Sequence, residues 1–381
     1  MKKIPEQVIV FLGASGTGKS FLAQSLCKTA IVDQEYDPRA HGALSERSEY
    51  YIMNSPEKCI ELIVAPGRRK YWKWSDYALA DADSALIFVS PTDILPIASL
   101  IEPMCHLLSF DVNFAGIVIN ITNASPAAID HIRNEIGSDL VRFNRSDIPI
   151  FTFSESDSES IANISKYLSG HLPVPVRRFS DPFSLSITRV HGKGSCTFVE
   201  GKILTGSLSV DDWVRVMPSG LSLRVQSICT NDLQSQARAS AGQLIGICLA
   251  DIDSKYIEKG MVLLTGDDGE ATRSISVKLN VFNASFPINV GFSPMISVLG
   301  CHVHGRVFHM ERPLFLGETG VVHIKLNKAV YVKKSLASRL SRVTLRQENV
   351  IVAVGVIVYS AKAVFNVERA KRGIYHTHTL C

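Results

Sequence analysis

The stretch VIVFLGASGTGKS, residues 8–20, lies near the start of this 381-residue chain. Its second half matches the pattern G-x-x-x-x-G-K-[ST] at every fixed position. A short apolar, β-branched run precedes the pattern and a helical stretch follows it, which is the setting that a phosphate-binding loop needs. The stretch therefore predicts an α/β nucleotide-binding domain.

The loop predicts how a triphosphate is held. Its residues are Gly13, Ala14, Ser15, Gly16, Thr17, Gly18, Lys19 and Ser20. Backbone N–H groups in such a loop turn toward the phosphates, and the start of the next helix adds positive charge. Lys19 is expected to reach the β- and γ-phosphates, and Ser20 to ligate Mg²⁺. The alternative, a chance glycine-rich turn, does not account for the strand before it and the helix after it.

The first part of the chain alternates buried strands with helices. Continuous apolar runs predict strands at 8–13, 60–65, 84–90, 114–120 and 148–154, and helices fit at 18–28 and 125–137. Short runs of this kind are typical of a parallel sheet covered on both faces. We predict a mostly parallel, doubly wound P-loop domain over residues 1–172.

The second part of the chain has a different pattern of hydrophobic and turn residues. The proline-rich stretch 172–182 predicts a linker, and short alternating strands with glycine turns follow it. They predict two antiparallel β-barrels, at 181–268 and 272–360, and then a polar, basic tail at 361–381.

Composition narrows the class of protein. A hydrophobic content of 46% with 20% charged residues is ordinary for a soluble protein, and no apolar run is long enough to cross a bilayer. We interpret the N-terminal MKKIPEQVIVFLG as a first strand and not as a signal peptide. The eight cysteines show no regular spacing, which favours reduced thiols, a cytoplasmic location and no membrane association. A monomer is expected.

Charge is unevenly distributed along the chain. Residues 1–175 hold 15 Lys and Arg and 21 Asp and Glu, whereas residues 176–381 hold the other 25 and 15. A basic second part suits a surface that meets RNA. An ordinary spread of solvated charge explains the same numbers.

With these motifs in view, the chain resembles the translational GTPases of the elongation factor Tu and selenocysteine-specific factor type. The resemblance covers about residues 5–360 and is strongest at 241–263, where AGQLIGICLADIDSKYIEKGMVL is similar to the family's A-G-x-x-V-G-x-x-L-x-x-I-x-x-x-x-I-x-x-G-x-V-L. GKILTGSLSVDDWVRV at 201–216 and SALIFVSPTD at 84–93 also resemble family segments. The resemblance implies a nucleotide domain and two barrels that bind GTP, Mg²⁺, tRNA and the ribosome.

The chain departs from the family at the segments that couple nucleotide to function. The family's Asp-x-Pro-Gly-His maps onto Val64-Ala65-Pro66-Gly67-Arg68, so that the acid and the histidine are both missing. The Arg-Gly-Ile-Thr segment is shortened to residues 46–50, without a threonine. The resemblance implies that the acid anchors a Mg²⁺-bound water and that the histidine orients the attacking water.

These changes predict weak or absent hydrolysis. Without an acid at Val64 the metal should be held more loosely. Arg68, the candidate catalytic residue, could place positive charge near the γ-phosphate as an arginine finger does. It is better explained as part of a solvated basic loop or an RNA contact.

The base pocket is altered as well. The family's Asn-Lys-x-Asp becomes Asn120-Ile121-Thr122-Asn123, and the next base contact becomes Ser154-Glu155. A carboxamide suits a carbonyl at C2 of the base better than guanine's amino group. Loss of the charge-assisted pair should cost on the order of 1.5–3 kcal/mol of guanine affinity. Weak GTP binding, relaxed purine choice, preference for a xanthine-type base and a vestigial pocket all remain open.

Two further signals have plainer explanations. The stretch Cys301-His302-x-His304 invites a metal, but nothing at a matching spacing closes a tetrahedral site. Trp72 and Trp74 flank a lysine and could stack on RNA, although packing against the second barrel explains them at least as well.

Three functions fit the sequence. The first, which we favour, is a divergent elongation-factor-like protein that binds a purine nucleotide, hydrolyses it slowly or not at all, and acts with tRNA or the ribosome. The second is a non-catalytic scaffold for RNA or protein. The third is a hydrolase rebuilt around Arg68, which Val64 and Asn123 count against.

Overall fold

The structure is a computed structural model. It describes residues 7–29, 48–55, 58–91, 96–193, 196–230, 234–266, 269–333 and 338–358. Several sequence expectations lie wholly or partly outside these residues: the first six residues of the N-terminal stretch 1–13, the start of the shortened segment at 46–47, the end of the 84–93 stretch, the last residues of the barrel predicted at 272–360 and the tail at 361–381.

The first unit is a six-stranded sheet in the order β2-β3-β1-β4-β5-β6. The strands are β1 Gln7–Gly13, β2 Glu49–Asn54, β3 Cys59–Val64, β4 Ser84–Val89, β5 Asn113–Asn120 and β6 Ile150–Phe153. Strands β1 and β3 to β6 run parallel, and β2 pairs antiparallel with β3. Apolar clusters cover both faces, which explains the continuous apolar runs. The predicted doubly wound sheet is confirmed.

Within the described part of this domain, five α-helices accompany the sheet. They are α1 Lys19–Thr29, α2 Trp72–Asp81, α3 Pro96–Phe110, α4 Pro126–Arg142 and α5 Ser158–Lys166. Local chemistry sets several of their starts: Ser125 caps α4 through the N–H of Ala128, and Asp157 caps α5 through the N–H of Glu159. Helix α1 begins inside the phosphate loop, because the loop glycines end at Gly18 and the next residues are helix formers.

The first barrel follows the linker. Its strands are β7 Ser184–Ser186, β8 Arg189–Lys193, β9 Cys196–Thr205, β10 Ser207–Ser209, β11 Trp213–Met217, β12 Leu221–Thr230, β13 Ser235–Gln236, β14 Arg238–Ser240, β15 Leu244–Leu249 and β16 Val262–Leu264. Six of them close a ring in the order β11-β16-β7-β9-β15-β12, since β12 also pairs with β11. Their alternating inward residues fill one apolar core.

The second barrel is also closed. Its strands are β17 Gly269–Val281, β18 Met295–Val298, β19 Cys301–Met310, β20 Thr319–Lys333, β21 Arg342–Gln347 and β22 Val350–Ile357. They close in the order β17-β20-β19-β18-β21-β22 around a separate core. Both predicted barrels are therefore present.

Helix α2 joins the three units. Near its middle, the carboxylate of Asp76 accepts hydrogen bonds from Ser297 at 2.6 Å and His302 at 2.9 Å, both in the second barrel. Beyond its end, Asp83 pairs with Lys202 of the first barrel at 2.6 Å and with Arg177 of the linker at 2.6 Å. The helix that follows the Pro-Gly segment is thus tied to both barrels by buried charges.

Two further findings concern membrane-spanning helices and the cysteines. Within the described residues, no helix is long and apolar enough to span a bilayer. Among the described residues, Cys27, Cys105 and Cys301 are thiols outside any disulfide, as the sequence predicted.

Candidate nucleotide-binding site

The phosphate loop has the backbone that its glycines predict. Gly16 and Gly18 have φ of 87° and 85°, in the left-handed region that favours glycine. The ammonium group of Lys19 lies inside the loop, where it donates to the carbonyl oxygens of Gly13, at 2.8 Å, and Ala14. Lys19 is 6% exposed, so its charge is directed into the loop and away from bulk water. The loop is therefore a preformed cradle for an anion.

Steric contact explains why the segment 64–68 keeps its glycine although the acid before it is missing. A Cβ added to Gly67 would come within 2.3 Å of the Ser15 nitrogen and 2.4 Å of the Ala14 carbonyl carbon. No side chain can take that place without moving the phosphate loop. The segment after β3 thus lies directly on the loop, and glycine is required there whether or not the preceding residue is an acid.

Ser20 has a partner that the sequence did not indicate. Its hydroxyl donates to Oε1 of Glu49, on β2, at 3.1 Å. Sequence reasoning missed Glu49 because it missed β2 itself; the only available signal was a polar residue followed by the apolar Tyr-Tyr-Ile-Met run of residues 50–53.

These two residues fit the magnesium ion that the family implies. Mg²⁺ prefers hard oxygen ligands and is commonly held by one or two protein oxygens, with water and phosphate completing the shell. The Ser20 hydroxyl and the Glu49 carboxylate are such oxygens, and they already touch at the mouth of the loop. Elsewhere, the described part of the chain has no group of three or more His, Cys, Asp and Glu residues placed to hold a metal.

The first residue predicted to contact the base, Asn120, lies beside the loop. The Asn120 side chain accepts from the N–H of Thr122 at 3.0 Å and reaches the loop, since a Cβ on Gly18 would lie 2.7 Å from its Nδ2. Thr122 accepts in turn from the N–H of Glu155 at 3.1 Å, which joins the turn after β5 to the segment after β6. The turn is therefore braced against both the loop and the next segment.

The two remaining base-pocket residues lie on this braced turn and on the segment after β6. Asn123 is exposed, with a φ of 61°. The Ser154 hydroxyl lies 3.1 Å from that of Ser156. Asn120 thus lies against the phosphate loop, and the Thr122 hydroxyl links the turn that carries Asn123 to Glu155, the residue after Ser154.

Arg68 is exposed next to the loop. It directly follows Gly67 and precedes the short 3-10 turn Arg69–Tyr71. Arg69 is also exposed and lies 3.7 Å from Glu102. The basic stretch is thus at the surface, one residue from the chain segment that touches the phosphate cradle.

Two signals from the sequence belong to the packing between units. The indole N–H of Trp72 donates to Asn349 of the second barrel at 2.8 Å, which confirms the packing explanation for Trp72. Trp74 instead lies under the ammonium group of Lys259, in the first barrel, at 4.2 Å. His302 binds Asp76 as described above, so the Cys301-His302 stretch serves the same interface.

The buried charges near α2 shift the pKa values of their carboxyls. Burial alone would raise the pKa of Asp76, but Arg346 and His106 outweigh burial and hold it well below its ordinary value. At Asp83, burial also raises the pKa of the carboxyl, but the charges of Lys202 and Arg177 outweigh burial and lower that pKa to about 2. At Asp81 burial prevails and raises the pKa to about 6.

Fold and site together define a class: a P-loop domain followed by two closed β-barrels, which is the architecture of the translational GTPases of the elongation factor Tu and SelB type. The chain has this fold, and its sequence is similar to that of elongation factor 1-alpha. Its structure is similar to that of translation elongation factor SelB from Methanococcus maripaludis in complex with the GTP analogue GppNHp, with a TM-score of 0.75 at 18% identity over 96% of this chain and 82% of that one. A bacterial selenocysteine-specific elongation factor, EF-Sec, gives a TM-score of 0.74 at 18% identity, over 97% of this chain and 61% of that one.

Sequence comparison points the same way. Elongation factor 1-alpha of Metallosphaera sedula is 25% identical over 78% of each chain, and protein HBS1 of Drosophila melanogaster is 23% identical over 88% of this chain. The chain spans 56% of the length of the Drosophila protein. No family model matches the chain.

Proposed function

We propose that the chain is a divergent elongation-factor-like protein that binds a purine nucleoside triphosphate in the loop at residues 13–20. The observation that carries the proposal is the preformed cradle: an intact loop, with the Lys19 ammonium held inside it and Gly67 seated on it. Asn120, Asn123 and Ser154 supply the base-contacting side. One relative of this chain is an elongation factor, elongation factor 1-alpha. Together with the basic second part of the chain, this supports a role with tRNA or the ribosome in the cytosol.

Hydrolysis is proposed to be slow or absent. Phosphoryl transfer needs a placed metal, a placed water and neutralisation of the developing charge. Ser20, with Glu49 beside it, would hold Mg²⁺, which neutralises charge on the β- and γ-phosphates when bound. Val64 carries no acid, and Arg68 is a cation that cannot take a proton from water as a neutral imidazole can. The chain therefore keeps groups that bind the phosphates and lacks the group that orients the attacking water.

A non-catalytic scaffold is the second candidate. Helix α2, which follows Gly67, is held to the second barrel at Asp76, and Asp83, two residues beyond the end of the helix, is paired with Lys202 of the first barrel. Such a helix favours a fixed arrangement of the three units over a nucleotide-driven rearrangement.

Calorimetry with GTP, ATP and XTP, with and without Mg²⁺, tests the proposal, followed by single-turnover hydrolysis of whichever binds. We expect binding that is lost in Lys19→Ala, with little or no hydrolysis. As the control, Lys166→Ala removes a lysine at the far end of α5 and should bind as the wild type does. Failure of all three nucleotides to bind would leave only the scaffold. Fast hydrolysis abolished by Arg68→Ala would establish the rebuilt hydrolase instead.

The RNA role is tested separately. Gel-shift assays with tRNA across a salt series should show affinity that falls steeply with salt, because each neutralised phosphate releases counterions. A flat salt response would contradict a basic RNA-binding surface.

A further inference from the structure

We propose that Glu49 supplies the magnesium-anchoring carboxylate that the chain lacks at Val64. The acid has thus moved from one strand of the sheet to its neighbour. The inference rests on the proposed nucleotide binding and adds a role for Glu49 at that same site.

The register of the sheet places the two positions side by side. Glu49 on β2 is the direct antiparallel partner of Val64 on β3. Residues directly opposite in an antiparallel pair project from the same face, with their Cβ atoms about 4.5–5.5 Å apart. Val64 packs in the apolar cluster that includes Leu22 of α1, so this is the face that α1 covers. A carboxylate at Glu49 therefore enters the site from beside the place where an acid at Val64 would stand.

The contact with Ser20 shows that the carboxylate reaches the site. The Ser20 hydroxyl, which the loop pattern assigns to Mg²⁺, donates to Glu49 Oε1 at 3.1 Å. Both residues are partly buried. Two oxygen ligands of the kind that Mg²⁺ prefers thus meet where the metal of a loop-bound triphosphate belongs.

A second-layer contact orients the carboxylate. The Tyr51 hydroxyl donates to the other oxygen, Glu49 Oε2, at 2.7 Å, and the Gln24 amide lies 3.4 Å from the same hydroxyl. Such hydrogen bonds to a carboxylate ligand fix its orientation at metal sites.

Charge gives the inference a distinctive signature. Without a divalent cation, a carboxylate at the mouth of the loop repels the triphosphate, whereas with Mg²⁺ bound the same carboxylate attracts the metal–nucleotide complex. Removal of the charge should therefore tighten binding in EDTA and weaken it in Mg²⁺. A purely structural tie between Glu49 and Ser20 predicts a change of the same direction in both conditions.

The experiment compares the wild type with Glu49→Gln, which keeps the shape of the side chain. Calorimetry with GTP and XTP, each in Mg²⁺ and in EDTA, gives the gain in affinity due to the metal. We expect Glu49→Gln to lose at least about 10-fold of that gain, because even the loss of a group that only orients a metal ligand costs about 10- to 100-fold. It should also bind more tightly than the wild type in EDTA. Binding of Mn²⁺ to the nucleotide complex, followed by electron paramagnetic resonance, gives a readout independent of the calorimetry.

A matched control and a transfer variant complete the test. Glu135→Gln makes the same change on α4, away from the loop, and should leave the metal gain unaltered. The double variant Glu49→Gln/Val64→Asp returns the acid to β3 and should recover the metal gain. A melting temperature and circular dichroism spectrum like those of the wild type show that each variant is folded.

The outcomes separate the two proposals. If the wild type binds neither nucleotide in either condition, the proposed function fails and takes this inference with it. If the wild type binds and Glu49→Gln keeps the full metal gain, or shifts in the same direction in both conditions, the inference alone is overturned.

Discussion

Asp76 on α2 and Arg346 on β21 form an ion pair, 3.2 Å from Oδ1 to Nη2, between residues 270 positions apart. Their side chains are 0% and 2% exposed. Arg346 also reaches Glu102 on α3 at 3.2 Å and lies over the ring of Trp72 at 4.6 Å. Two helices of the nucleotide domain and one strand of the second barrel therefore share a single buried cation.

Removal of that cation should loosen the interface. We expect Arg346→Met to destabilise the protein by about 3–5 kcal/mol, because it leaves the Asp76 carboxylate buried without its ion pair. Urea unfolding monitored by tryptophan fluorescence suits the measurement, since Trp72 and Trp74 both lie on α2.

The control is the same substitution at an exposed arginine of the second barrel. Arg306→Met on β19 should change stability by no more than about 0.5 kcal/mol. Asp76→Asn combined with Arg346→Met should be less damaging than Arg346→Met alone, because the buried charge of Asp76 is then removed as well. Equal unfolding curves for the two arginine variants would contradict the role of the pair.

Asp81, at the end of α2, should make stability depend on pH. Burial raises its pKa to about 6, above the ordinary aspartate value of 3.8, so the folded state favours the protonated acid. Its contribution to stability is therefore full below about pH 4, declines as the pH rises toward 6, and is gone above that. At pH 7 we expect Asp81→Asn to be more stable than the wild type by up to about 3 kcal/mol, which is the pKa difference at 1.36 kcal/mol per unit.

The measurement is the midpoint of thermal or urea unfolding at several pH values between 4 and 8. The difference between the wild type and Asp81→Asn isolates this carboxyl from the other titrating groups. That difference should grow with pH up to about 6 and then level off. A difference that stays constant across the series would show that Asp81 ionises normally in the folded protein.

Gly67 should be intolerant of a single methyl group. In Gly67→Ala the new Cβ would lie 2.3 Å from the Ser15 nitrogen, so the chain after β3 must lift from the phosphate loop. We expect nucleotide affinity to fall at least about tenfold, a loss of about 1.4 kcal/mol. Calorimetry with GTP and XTP measures the loss. Gly137→Ala, inside α4 with no atom within 4 Å of its new Cβ, should bind normally and gain about 0.5–1 kcal/mol of stability.

The features that could be predicted from the sequence are those that depend on residues close together in the chain. The phosphate loop and its strand are contiguous in the chain. A strand buried on both faces is recognised by a continuous apolar run, as at β4 and β5. The barrels followed from alternation and turn residues. Each of these patterns is set by neighbours a few positions apart.

What the sequence did not predict depends on distant partners. Nothing local distinguishes Asp76 from a solvated helix residue, because its partners Ser297 and Arg346 lie more than 200 positions away. The stretch 172–182 was predicted to be a linker, yet its Arg177 is paired with Asp83. Likewise the position of Glu49 at the site follows only from the β2–β3 register, which places it opposite Val64.

Base preference should follow from a single side chain. Asn123 is exposed on the turn that Thr122 braces against Glu155, and its left-handed backbone suits aspartate as well as asparagine. In Asn123→Asp the new carboxylate accepts from the N1 and N2 donors of guanine, worth about 1.5–3 kcal/mol. We therefore expect GTP affinity to rise about 10- to 150-fold relative to XTP, measured by competition calorimetry. Asn144→Asp makes the same change on another exposed left-handed turn, so a similar gain there, or an equal gain for XTP, would mean that position 123 does not read the base.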